Sequence, residues 1–316
     1  MGISIYAGPA KVYRDGVAYF PEGENGSVNF TIEQEKLPVA SALVGQARFQ
    51  QGDVTGKITV TPFDNWGLLA KLFPPALGAS VGVTAGVLAI GTKLASGAAL
   101  VPTKIWVPGD ARLYTAVNTA IVKPPDLRLG VGKALYGPME IACIGDASKP
   151  LGSAGFLYSI DESAAADPGG VMTMTDCIRE KWTAAWGSEY ADMEAEEEWV
   201  VKCEIKVQAY KVQKLTCLIK LISASYMVSG RVVGPAHTVL DTMVGINVSR
   251  EPGSSFEGED LVLTSSSGKV ITLKNAAPVG IGFEFGGSRL GTGEIGWVNA
   301  MTITAGVVQP LITFSA

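Results

Sequence analysis

The feature that most constrains the fold is a series of short runs in which apolar and polar residues alternate, separated by glycine and proline. Alternation of this kind places apolar side chains on one face of a β-strand, and glycine and proline mark the turns between strands. The clearest runs are Ala10–Arg14, Ser27–Glu33, Gly56–Thr61, Gly155–Ile160, Glu198–Gln208, Asp260–Thr264, Lys269–Leu273 and Gly296–Thr304. A mainly β fold is therefore predicted.

Two stretches break this alternation and space their apolar residues like a helix. They are Asp64–Phe73, which is followed by two prolines, and Lys211–Ser223. Apolar residues three and four positions apart lie on one face of an α-helix, and proline ends a helix. We expect one short α-helix at each of these places.

Segments in the first half of the chain resemble segments in the second half, in the same order. The segments that begin at Ala10, Ser27, Lys57 and Tyr114 match those that begin at Gly155, Gly170, Glu204 and Ile271. In the last of these matches, Asn118 falls on Asn275. Matches in one order predict an internal repeat of a β-rich unit. The predicted units are residues 1–146 and 147–316, each a β-sandwich or half-barrel with one short α-helix.

A long loop is expected in each unit after its second strand. The first loop spans Lys36–Asp53 and the second spans Lys181–Glu198. Long loops inside compact domains are uncommon unless they serve a function. The second loop holds the aromatic residues Trp182, Trp186 and Tyr190 and the acidic residues Glu194, Glu196, Glu197 and Glu198. The aromatic residues could stack on a sugar or anchor the loop against a neighbouring molecule, and the acidic residues could form a solvated tip or a contact.

The composition indicates a chain that partners cover. Only 17% of its residues are charged and 47% are apolar, and large apolar patches usually mark surfaces that a partner covers. The net charge of −5 provides no basic surface for gripping nucleic acid. The most apolar stretch, Ala76–Val101, is interrupted by five glycines. It is too weakly apolar to span a membrane, so no membrane insertion is expected.

Two enzyme motifs occur without the residues that they need. Gly78–Gly82 matches the GxSxG elbow of hydrolases, but the chain contains one histidine, His237, in a turn-like GPAH stretch. Gly291–Gly296 matches the GxGxxG fingerprint, but a strand-like segment follows it where a helix is required. One histidine and four cysteines without CxxC spacing predict neither a zinc site nor a cofactor. We expect no enzymatic activity, and cysteines that are buried and reduced.

Two longer patterns resemble a known family. The segment GSVNFTIE from Gly26 to Glu33 is followed, after the predicted loop, by GDVTGKITVTPFDNWGLLAKLFP from Gly52 to Pro74. The glycine-rich segments LRLGVGKALYGPMEIACIG and FEFGGSRLGTGEIGWVNAMTIT lie at corresponding places in the two predicted units. Together these segments resemble the major tail-tube proteins of long-tailed, siphovirus-type bacteriophages, some of which contain two fused tube domains.

The resemblance implies a structural virion protein that forms homo-oligomeric rings of six tube domains. Three two-domain chains would give a trimer with pseudo-hexameric symmetry, and six chains would give a hexamer. The rings would stack through the long loops into a tube for genome ejection. The partners would be further copies of the chain, the tape-measure, tail-terminator and baseplate proteins, and DNA in non-specific transit. The location would be the virion tail, after assembly in the host cytoplasm.

An acidic channel wall would suit such a tube, because basic side chains would retain the phosphates of passing DNA. The acidic residues of the second strand of each unit are the candidates for this wall: Glu33 and Glu35 in the first unit and Asp176 in the second. They could equally be ordinary solvent-facing positions. Two other functions stay open, namely another virion ring protein (neck, tail-terminator or decoration protein) and a carbohydrate-binding β-sandwich.

Overall fold

The computed structural model shows a protein made mainly of β-strands, as the alternating runs predict. It describes residues 10–14, 17–20, 28–41, 45–73, 93–95, 100–107, 109, 111–133, 135–146, 148–150, 153–163, 167–169, 179–187, 190–212, 215–232, 258–284, 292–299, 303–304, 307–308 and 311–315.

The strands fall into two groups along the chain. The earlier strands are β1 (Lys11–Arg14), β2 (Val17–Phe20), β3 (Val28–Ser41), β4 (Gly45–Val60), β5 (Lys93–Ala95), β6 (Val101–Val107), β7 (Arg112–Lys123), β8 (Leu127–Leu129), β9 (Met139–Ile144) and β10 (Tyr158–Asp161). The later strands are β11 (Trp182–Trp186), β12 (Tyr190–Val212), β13 (Leu215–Val232), β14 (Glu259–Ser265), β15 (Val270–Glu284), β16 (Thr292–Asn299), β17 (Ile303–Thr304), β18 (Val307–Val308) and β19 (Ile312–Ser315). A 3-10 turn (Trp66–Leu68) and the helix α1 (Leu69–Leu72) lie between β4 and β5.

Eight of the earlier strands form an open antiparallel sheet, which we call the first sheet, whereas β5 pairs with β13 and β8 with β12. Its order is β2-β1-β6-β7-β9-β4-β3, and β10 adds to β7 beside β9. Within the described residues, no pairing joins β2 to β3. The first sheet therefore ends at β3, which is paired along one side only.

The later strands close into a six-stranded antiparallel barrel. Its order is β11-β12-β13-β16-β15-β14, and β14 pairs back to β11. Strand β19 adds to β15 outside this circle. The interior is filled by large side chains, among them Trp199, Trp297 and Tyr226, which are almost fully buried. Closure satisfies the backbone groups that an open sheet leaves at its edges.

The first sheet and the barrel, which we call the two bodies, share one hydrophobic core. Trp66 of the 3-10 turn stacks on Trp182 of β11 with 5.9 Å between ring centroids, and Phe73 packs against Tyr226 of the barrel. Asn65 caps the turn, since its side chain accepts a hydrogen bond from the amide of Gly67 at 2.9 Å. The short helical segment thus packs between the first sheet and the barrel.

Both helix predictions need correction. The helix predicted over Asp64–Phe73 is reduced to the 3-10 turn and the single α-turn of α1. The helix predicted over Lys211–Ser223 is wrong, because the described residues of this segment form the end of β12 and the start of β13. There the apolar residues are paired across a hairpin, for example Val212 with Leu215. Helical spacing over so short a run cannot outweigh a continuous ladder to a neighbouring strand.

Both predicted loops are also wrong. Most of Lys36–Asp53 belongs to the hairpin of β3 and β4, which pair from Val28–Val60 as far as Ser41–Gly45. In the segment Lys181–Glu198, β11 and the first part of β12 form a second hairpin. Apolar and polar residues alternate only weakly in both stretches, so the sequence does not predict strands there. The pairing of these strands depends on residues across the hairpin.

The hairpins β3–β4 and β12–β13 pair equivalent positions when the residues of each strand are counted from the end next to the hairpin tip. In the first, Val28–Ser41 pairs with Gly45–Val60. In the second, Trp199–Val212 pairs with Leu215–Gly230. The register shifts near the tip at the same place, between Val39 and Ala40 in one hairpin and between Tyr210 and Lys211 in the other.

The neighbour order of the two bodies is also the same. The run β1-β6-β7-β9-β4-β3 corresponds to β11-β14-β15-β16-β13-β12. The two additional strands also lie at equivalent places. Strand β10 pairs with β7 as far as Ala116, two residues before Asn118, and β19 pairs with β15 as far as Leu273, two residues before Asn275. In this correspondence β13 is the counterpart of β4. The sequence match of Lys57 with Glu204 had instead made β12 the counterpart of β4.

Candidate assembly surfaces

The outer edge of β3 is the longest strand edge of the first sheet. Strand β3 pairs with β4 along its whole length, and within the described residues no strand covers its other side. Ile32 and Leu37 are each about two-fifths exposed on this strand, at 39% and 40%. Pro38 lies near the hairpin tip, where it removes one backbone donor. A long open edge with exposed apolar residues is a template for adding another strand.

An apolar patch continues from this edge onto β10. The ring of Tyr158 meets the ring of Phe30 edge-on, with 5.8 Å between centroids, and Tyr158 and Ile160 are themselves exposed. The patch therefore joins β3, at the end of the first sheet, to β10. Exposed apolar side chains grouped in this way are typical of a surface that another molecule covers.

The opposite face of β3 is polar and carries Glu33. This residue is exposed and lines a shallow cleft of about 280 Å³ with Thr31, Thr55 and Lys57. Glu140 nearby lies 3.6 Å from Lys57. Both signs of charge are thus present on this face, and basic groups do not dominate it. Glu35 is also exposed on β3, whereas Asp176 lies outside the described residues.

Four predicted contact residues lie on a strand of the barrel instead of a loop tip. Glu194 pairs with Lys181 at 2.7 Å, Glu196 with Arg231 at 3.2 Å and Glu197 with Lys133 at 3.2 Å. The fourth, Glu198, is half-buried, and its Oε2 atom accepts no hydrogen bond within the described residues. Several of these acidic groups are thus held by ion pairs along β12.

Two of the three aromatic residues predicted to contact a neighbour, Trp182 and Trp186, are core residues. Trp182 and Trp186 alternate with half-buried residues along β11 and are almost fully buried. The indole of Trp186 donates a hydrogen bond to the carbonyl of Ala276 at 2.8 Å. Neither ring is available to stack on a sugar or on another subunit. Tyr190 is the first residue of β12 and pairs with Trp186.

The junction between the two bodies was not found from the sequence. Strand β8 pairs antiparallel with β12, with Leu127 opposite Val201 and Leu129 opposite Trp199. All four side chains are almost fully buried. The alternating LRL triplet was the available signal, but three residues are too few to predict a strand or its partner.

Two of the four cysteines, Cys143 and Cys203, have the character of buried apolar residues. Cys143 and Cys203 are free and buried, and burial raises the pKa of each thiol to about 12. A thiol with so high a pKa stays protonated at neutral pH and reacts slowly. Cys177 lies outside the described residues.

The described residues add little to the enzyme motifs. Gly78–Gly82 and His237 lie outside them, and the later part of the GxGxxG match lies in strand β16. Within the described parts of the chain, no three His, Cys, Asp or Glu side chains are placed to hold a metal ion. No helix among the described residues has the length and apolar character needed to cross a membrane.

No protein-family model matches the sequence, and no curated protein matches it significantly.

Proposed function

We propose that this chain is a structural protein that polymerises as stacked rings into the tail tube of a long-tailed bacteriophage. The observation that carries the proposal is the repeated strand order, with two long hairpins of one register. A chain that contains two equivalent ring-forming units can place them at successive positions around a ring. On this proposal, the two units are diverged copies of one tube domain.

The open edge of β3 supports self-assembly. Within the described residues, this strand of 14 residues is paired along one side only, so its other side presents a row of backbone donors and acceptors. Pairing with another chain satisfies these groups and covers the apolar patch of Ile32, Tyr158 and Ile160. The low fraction of charged residues, 17%, fits a chain whose surface is largely covered after assembly.

The polar face of the first sheet supports a conduit for DNA. Glu33 is exposed there, Lys57 is opposed by Glu140, and Glu35 is exposed further along β3. A wall without excess positive charge retains passing phosphates weakly. We place Glu33 and Glu35 on the channel wall, together with Asp176 of the second unit. The tape-measure, tail-terminator and baseplate proteins are the other partners in this proposal, and the virion tail is the location.

Two units per chain favour three chains in a pseudo-sixfold ring. The alternative within the proposal is a ring of six chains in which one unit per chain lines the channel. An end-on image average distinguishes them, because a trimer alternates two slightly different units around the ring. Strict sixfold density with one whole chain in each sixth of the ring contradicts the trimer.

Negative-stain electron microscopy of the purified protein tests the function. Tubes with a central channel are expected, with lengths that vary when no tape-measure protein is present. Single rings that never stack would favour a neck, tail-terminator or decoration protein. A monomer at all concentrations would contradict every ring-forming function and would favour the carbohydrate-binding β-sandwich, although the burial of Trp182 and Trp186 removes the sugar platform predicted for it.

A further inference from the structure

The turn between β14 and β15, residues Ser265–Lys269, is held together by its own hydrogen bonds. The amide of Ser265 donates to the carbonyl of Lys269 at 2.8 Å, and the amide of Gly268 donates to the carbonyl of Ser265 at 3.0 Å. Gly268 has a φ of 90°, a left-handed conformation that favours glycine. The five residues therefore form one unit, which we call the strap.

Glu180, two residues before β11, holds the strap from outside its hairpin. The two carboxylate oxygens accept hydrogen bonds from Ser266 Oγ at 2.7 Å and from Ser267 Oγ at 2.6 Å. Partial burial raises the pKa of Glu180, but the hydrogen bonds from the serines outweigh it and lower the pKa below its usual value. Hydrogen bonds to a charged acceptor are stronger than neutral ones. The amide of Ser266 also donates to the carbonyl of Lys181 at 3.0 Å.

Lys269, the last residue of the strap, reaches the contact between the two bodies. Its Nζ atom lies 5.4 Å from the centroid of the Trp66 ring, within the range of a cation–π contact. The same ring stacks on Trp182 of β11 and meets Phe314 of β19 edge-on. Trp66 is nevertheless only half-buried. Lys269 thus covers part of a ring that its aromatic neighbours do not bury completely.

One short segment connects the strap to this contact. Arg179 donates a hydrogen bond to Asp64 at 3.0 Å, and Asp64 lies two residues before Trp66. On the same segment, Glu180 binds the strap and Trp182 stacks on Trp66. The side-chain bonds of Glu180 lie at the surface of the molecule, where local opening requires the least free energy.

We propose that the strap is a lid over the contact of Trp66 with Trp182, which Glu180 latches in the closed position and which swings open about the ends of β14 and β15. Opening removes Lys269 from the Trp66 ring and admits water to the contact between the two bodies. The pairing of β14 with β15 stays in place. The inference goes beyond the proposed function and does not depend on it, since it concerns a single chain.

A matched pair of variants of the full-length protein tests the proposal at a concentration where the protein does not associate. Glu180→Ala removes the latch. Glu162→Ala is the control, because Glu162 is an exposed acidic residue in the turn after β10, so the same charge is lost elsewhere. Hydrogen exchange of the strap amides, resolved by mass spectrometry, measures opening. Hydroxyl-radical oxidation of Trp66 measures access of solvent, and Trp297, which is fully buried in the barrel, is the internal reference.

We expect the strap amides to exchange about three- to tenfold faster in Glu180→Ala than in the wild type, because two hydrogen bonds to a partly exposed carboxylate are lost. Oxidation of Trp66 should rise as well. Glu162→Ala should behave like the wild type, and Trp297 should stay protected in every folded variant.

A second variant removes the same hydrogen bonds from the side of the strap. Ser266→Ala combined with Ser267→Ala should accelerate exchange and oxidation as Glu180→Ala does. Adding Glu180→Ala to this variant should have little further effect, since the latch is already open. Independent, additive effects would overturn the assignment of Glu180 as the latch.

Exchange of the strap at the wild-type rate in Glu180→Ala would also overturn the latch. Faster exchange without faster oxidation of Trp66 would overturn the role of the strap as a lid. If Glu180→Ala fails to fold, Trp297 becomes oxidised as well, and the serine variant then decides the question.

Discussion

The first sheet and the barrel contain the same order of strands, yet one is open and the other is closed. In the barrel, β12 is long enough to pair with both β11 and β13. In the first sheet, β1 corresponds to β11 and β3 to β12, and no pairing within the described residues joins β1 to β3. The comparison teaches that the ladder from β1 to β3 is common to both bodies, whereas the barrel is closed by the additional pairing of β11 with β12.

The packing inside the two bodies differs at equivalent positions. In the barrel a large and a small residue face each other, Trp199 and Gly230. In the first sheet two residues of equal size, Val28 and Val60, take these places. A Cβ atom on Gly230 would lie 2.4 Å from the Trp199 ring, so the tryptophan fits only because its partner is glycine. The space between the two strands is thus filled by one large side chain in the barrel and by two side chains of equal size in the first sheet.

The largest effect that separates the two bodies is expected from removing one aromatic ring from each of the two long hairpins. Trp199→Ala opens a cavity in a closed interior and should lower the free energy of unfolding by about 3–5 kcal/mol. Phe30→Ala, at the counterpart of Val201, removes a half-buried ring and should cost about 1–2 kcal/mol. Urea unfolding measures both, at a concentration where the protein does not associate. Equal losses would show that the first sheet is as well covered as the barrel.

The next effect concerns the exchange of volumes between Trp199 and Gly230. Trp199→Val leaves a cavity and Gly230→Val overpacks the barrel, so each alone destabilises the fold. Together they reproduce the Val28–Val60 pair of the first sheet. The double variant should be more stable than the sum of the single losses predicts, by about 0.5–3 kcal/mol. Additive losses of stability in a double-mutant cycle would mean that the side chains at the two positions do not compensate for each other's volume.

A smaller loss is expected at the junction of the two bodies. The buried carboxylate of Asp64 accepts hydrogen bonds from the Leu135 amide at 2.8 Å and from Arg179 at 3.0 Å. Asp64→Asn replaces one acceptor by a donor and should cost about 1–3 kcal/mol.

Asp146→Asn is the matched control, because Asp146 also accepts from a neighbouring amide but lies on the surface. The control should melt at the wild-type temperature. If both variants melt alike, Asp64 is not part of the contact that joins the bodies.

The smallest effect is expected for the ion pairs along β12. Glu194→Gln breaks the pair with Lys181, and both groups are about half exposed. An exposed pair of this kind contributes about 0–1 kcal/mol. Salt screens it, so the small difference from the wild type should disappear at high ionic strength. A larger, salt-independent loss in thermal melting would give the acidic run a structural role that its exposure does not suggest.

The strand content could be predicted from the sequence because alternation is a local signal. The runs at Ala10–Arg14 and Asp260–Thr264 agree closely with β1 and β14. The outer parts of the hairpins could not be predicted, since their alternation is weak and their pairing depends on residues across the hairpin. The false helix at Lys211–Ser223 arose in the same way.

The assembly surfaces were predicted less well than the strands. Glu33 and Glu35 were placed on a solvent-facing strand position, and their exposure agrees with that part of the prediction. Trp182 and Trp186 were read as contact residues, because a tryptophan in a polar context looks alike in the core and at an interface. The edge of β3 has no sequence signature, since it is defined only by the lack of a second neighbouring strand among the described residues.

The covalent connection between the first sheet and the barrel has a kinetic consequence. Docking of β8 on β12 is a step within one molecule, so its effective concentration is in the millimolar range for a short linker, whatever the amount of protein in the cell. If subunits also join at β3, every second contact around a ring is made during folding. Only the remaining contacts depend on how much protein has been synthesised, so the onset of assembly would be controlled by one strand edge per chain.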